Sequence, residues 1–323
     1  MNDFERLAAD DFVWSGDSVF EPGAPTFPRS PNLEMMGQDV GANLFGQCRD
    51  RWGQRGSRFS AVSFRLEPEN ARVTKSFRTL LYAGSDDISY GIGQFLDMIG
   101  RSIVVDNRLV YELQIGRDKT TNAIAALNFR PASAPGDRLL VFGRHAVQLL
   151  SPSLAERHNC SRIRRLKPAN TFLFQPPPYW RRSLGRARLA LRFFDTIHYQ
   201  LIDDVTSSIS TRRQRSRVYD HSSNLKMLAR ETAVLGWPGR GLFRDHETDY
   251  LAIERRIQWN SFCVDLRNYM ICELQRAVSR IAELLDCQCR LIVEETSEYN
   301  LEDIRKSLRE GKTSTVELLR RLF

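Results

Sequence analysis

The chain has 323 residues, of which 42% are hydrophobic and 27% charged; this allows a sizeable buried core and excludes a disulfide-stapled miniprotein, a disordered chain or a collagen. The net charge is +8, and segment 151–230 alone carries 16 basic against 5 acidic residues, so the positive excess belongs to one third of the chain. No apolar run approaches the roughly 18 residues of a membrane span, the acidic start (Asp3, Glu5) is unlike a signal peptide, and six cysteines are too sparse for a disulfide framework, so reduced thiols are expected.

All but six of the 47 basic residues are Arg. Arg is the better fork for phosphates and interface carboxylates, and a GC-rich genome produces the same skew without a functional reason. In chain order, residues 15–32 carry Pro22, Pro25, Pro28 and Pro31, which predicts an extended arm, free or laid on a neighbouring subunit. Glycines 37, 41, 46, 53 and 56 interrupt the next stretch, and Phe59, Val62, Phe64 and Leu66 then predict a strand ending at Pro68. Ile92, Phe95, Leu96 and Ile99 fall at helical spacing, which predicts a short helix from Ser89. Alternation over 108–115, a turn at Gly116-Arg117-Asp118-Lys119 and an apolar run over 123–129 predict a β-hairpin. Short strands are expected over 139–142 and 146–150, followed by the basic run 162–167, Phe172-Leu173-Phe174 and three prolines, so 108–175 reads as a small β-rich insert.

Leu184, Ala187, Leu191, Phe194, His198, Leu201 and Val205 lie on one face of a helix of about 25 residues, roughly 37 Å long. Arg181, Arg182, Arg186, Arg188 and Arg192 crowd its first turns, where positive charge opposes the helix dipole. They answer an external anion or partner, or form a solvated face. Residues 211–217 and 236–241 read as irregular loops, the first bearing Arg212, Arg213, Arg215 and Arg217. A second long helix is marked by Trp259, Phe262, Leu266, Met270, Leu274, Ala277, Ile281 and Leu284, the strongest amphipathic signal in the chain. A short strand over 291–293, a helix capped by Asn300 and stopped by Gly311, and a Ser314–Glu317 capping box complete the pattern.

No active-site motif survives inspection. Gly311-Lys312-Thr313 lacks the upstream glycine of a phosphate loop, and His246-Glu247 lacks a second His at Tyr250. Cys263, Cys272, Cys287 and Cys289 lack metal-finger spacing and read as buried thiols. Asp245, His246, Glu247, Asp249 and Glu254 are raw material for a divalent-metal nuclease, or simply a surface loop of alternating sign. His198, on an apolar stripe, reads as a core histidine. No catalytic residue, metal or cofactor is expected.

The order of these pieces resembles the portal proteins of tailed bacteriophages. The residues that carry the resemblance are Ile92 to Ile115 with Tyr111-Glu112 at the centre of the strand, Leu127 near Pro131, and Arg165 to Phe174 leading into Gln175-Pro176-Pro177-Pro178-Tyr179-Trp180 and Ser183-Leu184-Gly185-Arg186-Ala187. Asp303 to Leu319, closing on helix, glycine, threonine and glutamate, completes it. The match covers about residues 85–323; the chain is short for that family, and its N-terminal part matches nothing in it.

The resemblance implies an α+β, portal-like fold with long stem and tunnel helices and a small β-rich clip-like insert. Its parts would be an N-terminal arm and wing-like region (1–88), a helix plus clip-like insert (89–182), a stem-like helix and basic loop (183–258), and a tunnel-like helix with a helical tail (259–323). It implies a homo-oligomeric ring at a capsid vertex, assembled in the host cytoplasm, that conducts double-stranded DNA without reading its sequence. Capsid, terminase and head-tail connector proteins would be partners, and no membrane would be involved. Arg181, Arg182, Arg186, Arg188, Arg212, Arg213, Arg215 and Arg217 would face nucleic acid or a partner, and Leu191, Phe194, Trp259, Phe262 and Leu266 would form the interface between copies. Phosphate-directed charge suits a duplex that must slide. A non-ring nucleic-acid-binding protein using the 151–230 patch and a metal nuclease at 245–254 are the alternatives.

Overall fold

The computed structural model describes residues 12–17, 30–44, 61–71, 73–74, 88–132, 138–207, 221–241, 248–296, 301–315 and 317. The chain is α+β. Its helices are α1 (Pro31–Leu44), α2 (Ile88–Asp106), α3 (Pro152–Arg157), α4 (Pro178–Ser207), α5 (His221–Ala233), α6 (Asp249–Leu284) and α7 (Leu301–Arg309). Its strands are β1 (Phe12–Ser15), β2 (Ala61–Glu67), β3 (Leu109–Asp118), β4 (Ile124–Pro131), β5 (Arg138–Phe142), β6 (His145–Leu149), β7 (Ile163–Leu166), β8 (Thr171–Phe174) and β9 (Arg290–Thr296). No described helix is long and apolar enough to cross a membrane.

The expected hairpin is β3 and β4, antiparallel, and β1 and β8 complete the sheet by pairing with β3, its central strand. Its turn lies further along than the glycine suggested: β3 runs on through Gly116 with a register shift, and the chain reverses after Asp118. There the Asp118 Oδ1 accepts from the Thr121 and Thr120 amides at 2.7 and 2.9 Å, which holds its carboxyl below the usual range. β5, β6 and β7 form a separate three-stranded sheet, and β2 pairs with β9. In β2 the alternation is obeyed, with Val62, Phe64 and Leu66 all buried.

Glycines 37 and 41, read as interruptions, lie inside α1. Pro31 starts the helix at a position that needs no amide, and the glycines let α1 cross close to α2: a Cβ at Gly37 would stand 3.2 Å from the Arg101 carbonyl oxygen. The helix from Ser89 is 19 residues long rather than short, because Ile103 and Val104 prolong its buried stripe.

One buried cluster runs from Leu33 to Leu291 through α1, α2, α4, α5, α6 and the β3 sheet. Phe95, Tyr111, Phe129 and Phe174 form its aromatic centre, with Tyr111 stacked on Phe129 at 4.9 Å and edge-on to Phe174 at 5.8 Å. Helix α6 has 36 residues, about 54 Å at 1.5 Å per residue. Thr248 caps its start. Further along, Trp180 Nε1 donates to Asp265 at 2.8 Å, the Leu173 amide donates to Glu273 at 3.3 Å, and Arg280 reaches Asn170 at 3.0 Å. Arg276 donates to the Thr171 carbonyl and lies 4.8 Å from the Phe172 ring centroid.

The five residues expected between copies are this chain's own core. Leu191, Trp259, Phe262 and Leu266 are 0% exposed and Phe194 is 7% exposed, so none presents an apolar flank to a second copy. Periodicity located the buried faces correctly; what buries them is α1, α2, α5 and the sheet.

The start of the N-terminal arm is held by this chain. Ser15 belongs to β1; the Asp17 amide donates to Glu112 at 2.6 Å, the Lys167 amide donates to Asp17 at 3.3 Å, and Arg164 donates to the Asp17 carbonyl. At its other end Ser30 and Asn32 donate to Asp195 of α4. Residues 18–29 lie outside the described set.

Candidate nucleic-acid interface

The arginines at the start of α4 divide sharply. Arg188 and Arg192 both donate to the Val105 carbonyl, Arg192 at 3.1 Å, and so cap the C-terminal end of α2 beside Asp106. Their charge answers the negative end of another helix's dipole. Burial, then the neighbouring Arg192, push the Arg188 guanidinium down to about 10, which leaves it cationic at neutral pH. Arg188, expected to face DNA or a partner, is thus committed inside the fold. Arg181 donates to the Pro176 carbonyl at 3.1 Å, closing the turn that enters the helix.

Arg186 reaches across to α5, where it meets Glu231 at 2.6 Å. That hydrogen bond, with a smaller contribution from Arg230, holds the Glu231 carboxyl below its ordinary range. A depressed pKa contributes stability above the ordinary carboxylate value and loses it as pH falls through the folded value. Replacing Arg186 by Ala should therefore raise the Glu231 titration midpoint, read by carbon-13 NMR of the side-chain carboxyl; an unmoved midpoint would show that this ion pair is not populated.

Arg182 is exposed and has no ion-pair partner among the described residues. It shares the outer face of α4 with Leu189 and Phe193, 72% and 51% exposed. Arg212, Arg213, Arg215 and Arg217 lie outside the described residues, between α4 and α5. The side chain of His198 is likewise outside them, although its backbone continues α4. A further set of cations lies on the small sheet, two of them from the basic run 162–167 and one, Arg144, that no sequence signal marks. Arg162 and Arg165 are exposed on the small sheet, and Arg144 is exposed in its β5–β6 turn. Period-two alternation over 163–166 is the signal that could have separated Arg165 from Arg164, whose side chain turns the other way to the arm.

The loop 236–241 is a buried lock. Trp237 is 0% exposed; its Nε1 donates to Asp39 at 2.9 Å, and Arg240 meets the same carboxylate at 2.6 Å. Gly236 has φ of +75°, and a Cβ there would collide with the Arg255 carbonyl, so only glycine suits this turn. Burial pushes the Arg256 guanidinium down, and the Asp39 carboxylate acts against that shift.

Burial pushes the Cys263 thiol far up, which makes it a poor nucleophile. Cys287 and Cys289 are half-buried and Cys272 is exposed, so the expectation of buried thiols holds fully only for Cys263. Of the proposed nuclease cluster, residues 245–247 lie outside the described set; Glu254 accepts from the Tyr250 hydroxyl at 3.4 Å and stands 4.0 Å from Arg309. Among the described residues no group of three His, Cys, Asp or Glu is disposed to hold a metal. Gly311-Lys312-Thr313 ends α7, where the Lys312 amide returns to the Ser307 carbonyl at 3.0 Å. No protein-family model, no curated protein and no solved structure matches this chain.

Proposed function

We propose that this chain is a portal-like ring subunit at the capsid vertex of a tailed bacteriophage, forming part of the channel through which double-stranded DNA is packaged and ejected. The observation that carries the reading is the outer face of α4. Arg182, unpaired among the described residues, stands there on the same helix face as Leu189 and Phe193, large apolar side chains left in solvent by the folded chain. An exposed apolar pair on a rigid helix is suited to cover by another copy. Arg182 and the four arginines of the 212–217 segment, which follows α4 in sequence, suit a phosphate backbone read without sequence. Arg182, Arg212, Arg213, Arg215 and Arg217 are then the DNA-facing set, and Leu189 and Phe193 replace Leu191 and Phe194 between copies. The α6 rod, braced along its length by β8 and α4, supplies stiffness rather than chemistry. Capsid, terminase and connector proteins are the partners of such a subunit.

Electron microscopy of the purified protein tests this directly. Rings with a central hole and a mass many times 37.3 kDa are expected; particles that remain monomeric at all concentrations would overturn the reading. Binding to duplex DNA should be indifferent to sequence and weaken steeply with salt. Replacing Arg182, Arg212 and Arg213 together by Ala should flatten the logarithmic salt slope by up to about 0.9 for each phosphate no longer neutralised. An unchanged slope would remove these residues from the DNA surface.

A further inference from the structure

The small β5–β6–β7 sheet has two apolar faces, and the fold covers one. Ladder partners share a face, so Ala146, Gln148 and Leu166 point inward, where all three are buried and Gln148 donates to the Ala132 carbonyl at 2.8 Å. The opposite face carries Leu140 paired with Val147 and Arg165, Leu149 paired with Ile163, and Phe142 at the hairpin end. Phe142 is 65% and Ile163 60% exposed. Arg144 and Arg162 flank this face, and neither 138–149 nor 162–167 contains a single carboxylate. Among the described residues of its strands and hairpin, the surface is apolar at its centre and basic at its edge.

Like charge at the rim disfavours pairing of this face with its own copy about a twofold axis, so a partner must bring apolar side chains edged with carboxylates. Such a surface exists on the same chain. In the first turn of α6, Tyr250 and Leu251 are 44% and 52% exposed beside Asp249, which has no ion-pair partner among the described residues; Glu254, one turn on, already faces Arg309 at 4.0 Å, so Asp249 is the carboxylate this surface offers. The two surfaces cannot meet within one copy. Leu173, which packs against the cluster under the small sheet, is bonded to Glu273, and 24 residues of α6 separate Glu273 from Asp249, about 36 Å along the axis.

We propose that the outward face of the small sheet docks on the first turn of α6 of a second copy, a head-to-tail contact between unlike surfaces. Contacts of this kind close into a ring when the rotation between copies permits. The proposal rests on the ring reading and adds a specific seam to it. An aliphatic platform with a single aromatic favours a protein occupant over stacked bases.

The test uses full-length chains. Equimolar I163C and L251C proteins, mixed and oxidised, should yield a disulfide-linked pair joining one chain of each kind, above the background of the unsubstituted protein. I163D and D249R should each raise the concentration at which assembly is half complete by at least about tenfold; I163D should leave the thermal unfolding of the dissociated chain unchanged, and D249R, which also sets a cation against the start of α6, is read beside D249N, which does not. Wild-type chains that stay monomeric would sink the ring reading and this seam together. Wild-type rings that survive I163D and D249R, or I163C chains that link only to one another, would overturn the seam and leave the ring standing. Loss of DNA binding in R165A with assembly intact would reassign the face to nucleic acid and overturn the seam.

Discussion

Replacing Asp39 by Ala should cost the chain about 3 kcal/mol of folding stability, read from chemical denaturation. The carboxylate accepts from the buried Trp237 indole and from Arg240, and its charge acts against the burial that depresses Arg256. Removing it strands an indole N–H in the core and leaves cations without their counter-charge. Arg240 is nearly half in solvent, 48% by side chain, so its share is screened and most of the loss should come from the buried partners. Asp39→Asn, which keeps the volume and one acceptor, should fall between the two. A loss under about 1 kcal/mol would show that the indole finds another acceptor and that the lock is ornamental.

Leu266→Ala should be comparably damaging, about 3 kcal/mol, because Leu266 is fully enclosed and its removal leaves a cavity between packed helices and strands. The informative variable is protein concentration. A core residue destabilises the single chain, so the shift in denaturation midpoint should be the same in dilute and concentrated samples. An interface residue would produce a loss that concentration partly restores. A concentration-dependent shift would return Leu266 to the interface between copies.

Local pattern was legible where a residue's role depends on its neighbours in sequence. The alternation of β2, the stripe of α6, the β3–β4 hairpin and the bond from the Glu317 amide to Ser314 Oγ at 3.2 Å could all be read from spacing. Roles decided by distant partners could not. Gly37 looks like a breaker until the Arg101 carbonyl is seen against it, and Arg188 looks like a ligand for an outside anion until the end of α2 is found beneath it. The same limit governed the long helices: periodicity states which face is apolar and is silent on whether the chain or its neighbour covers that face. The Asp39 lock joins residues about two hundred positions apart and left no local mark at all.

The β2–β9 ribbon bears on how such a chain is made. Glu67 and Arg290, joined at 3.2 Å, are separated by 223 positions, and the full ladder between these strands is antiparallel. During translation the earlier strand emerges long before its mate, so the ribosome releases a nascent polypeptide whose edge must be shielded while most of the message is still being read. Pairings of such separation fold late and leave early segments open to misassociation. Closure of that ribbon, the pairing of widest sequence separation among the described strands, would then come after the local hairpins have formed.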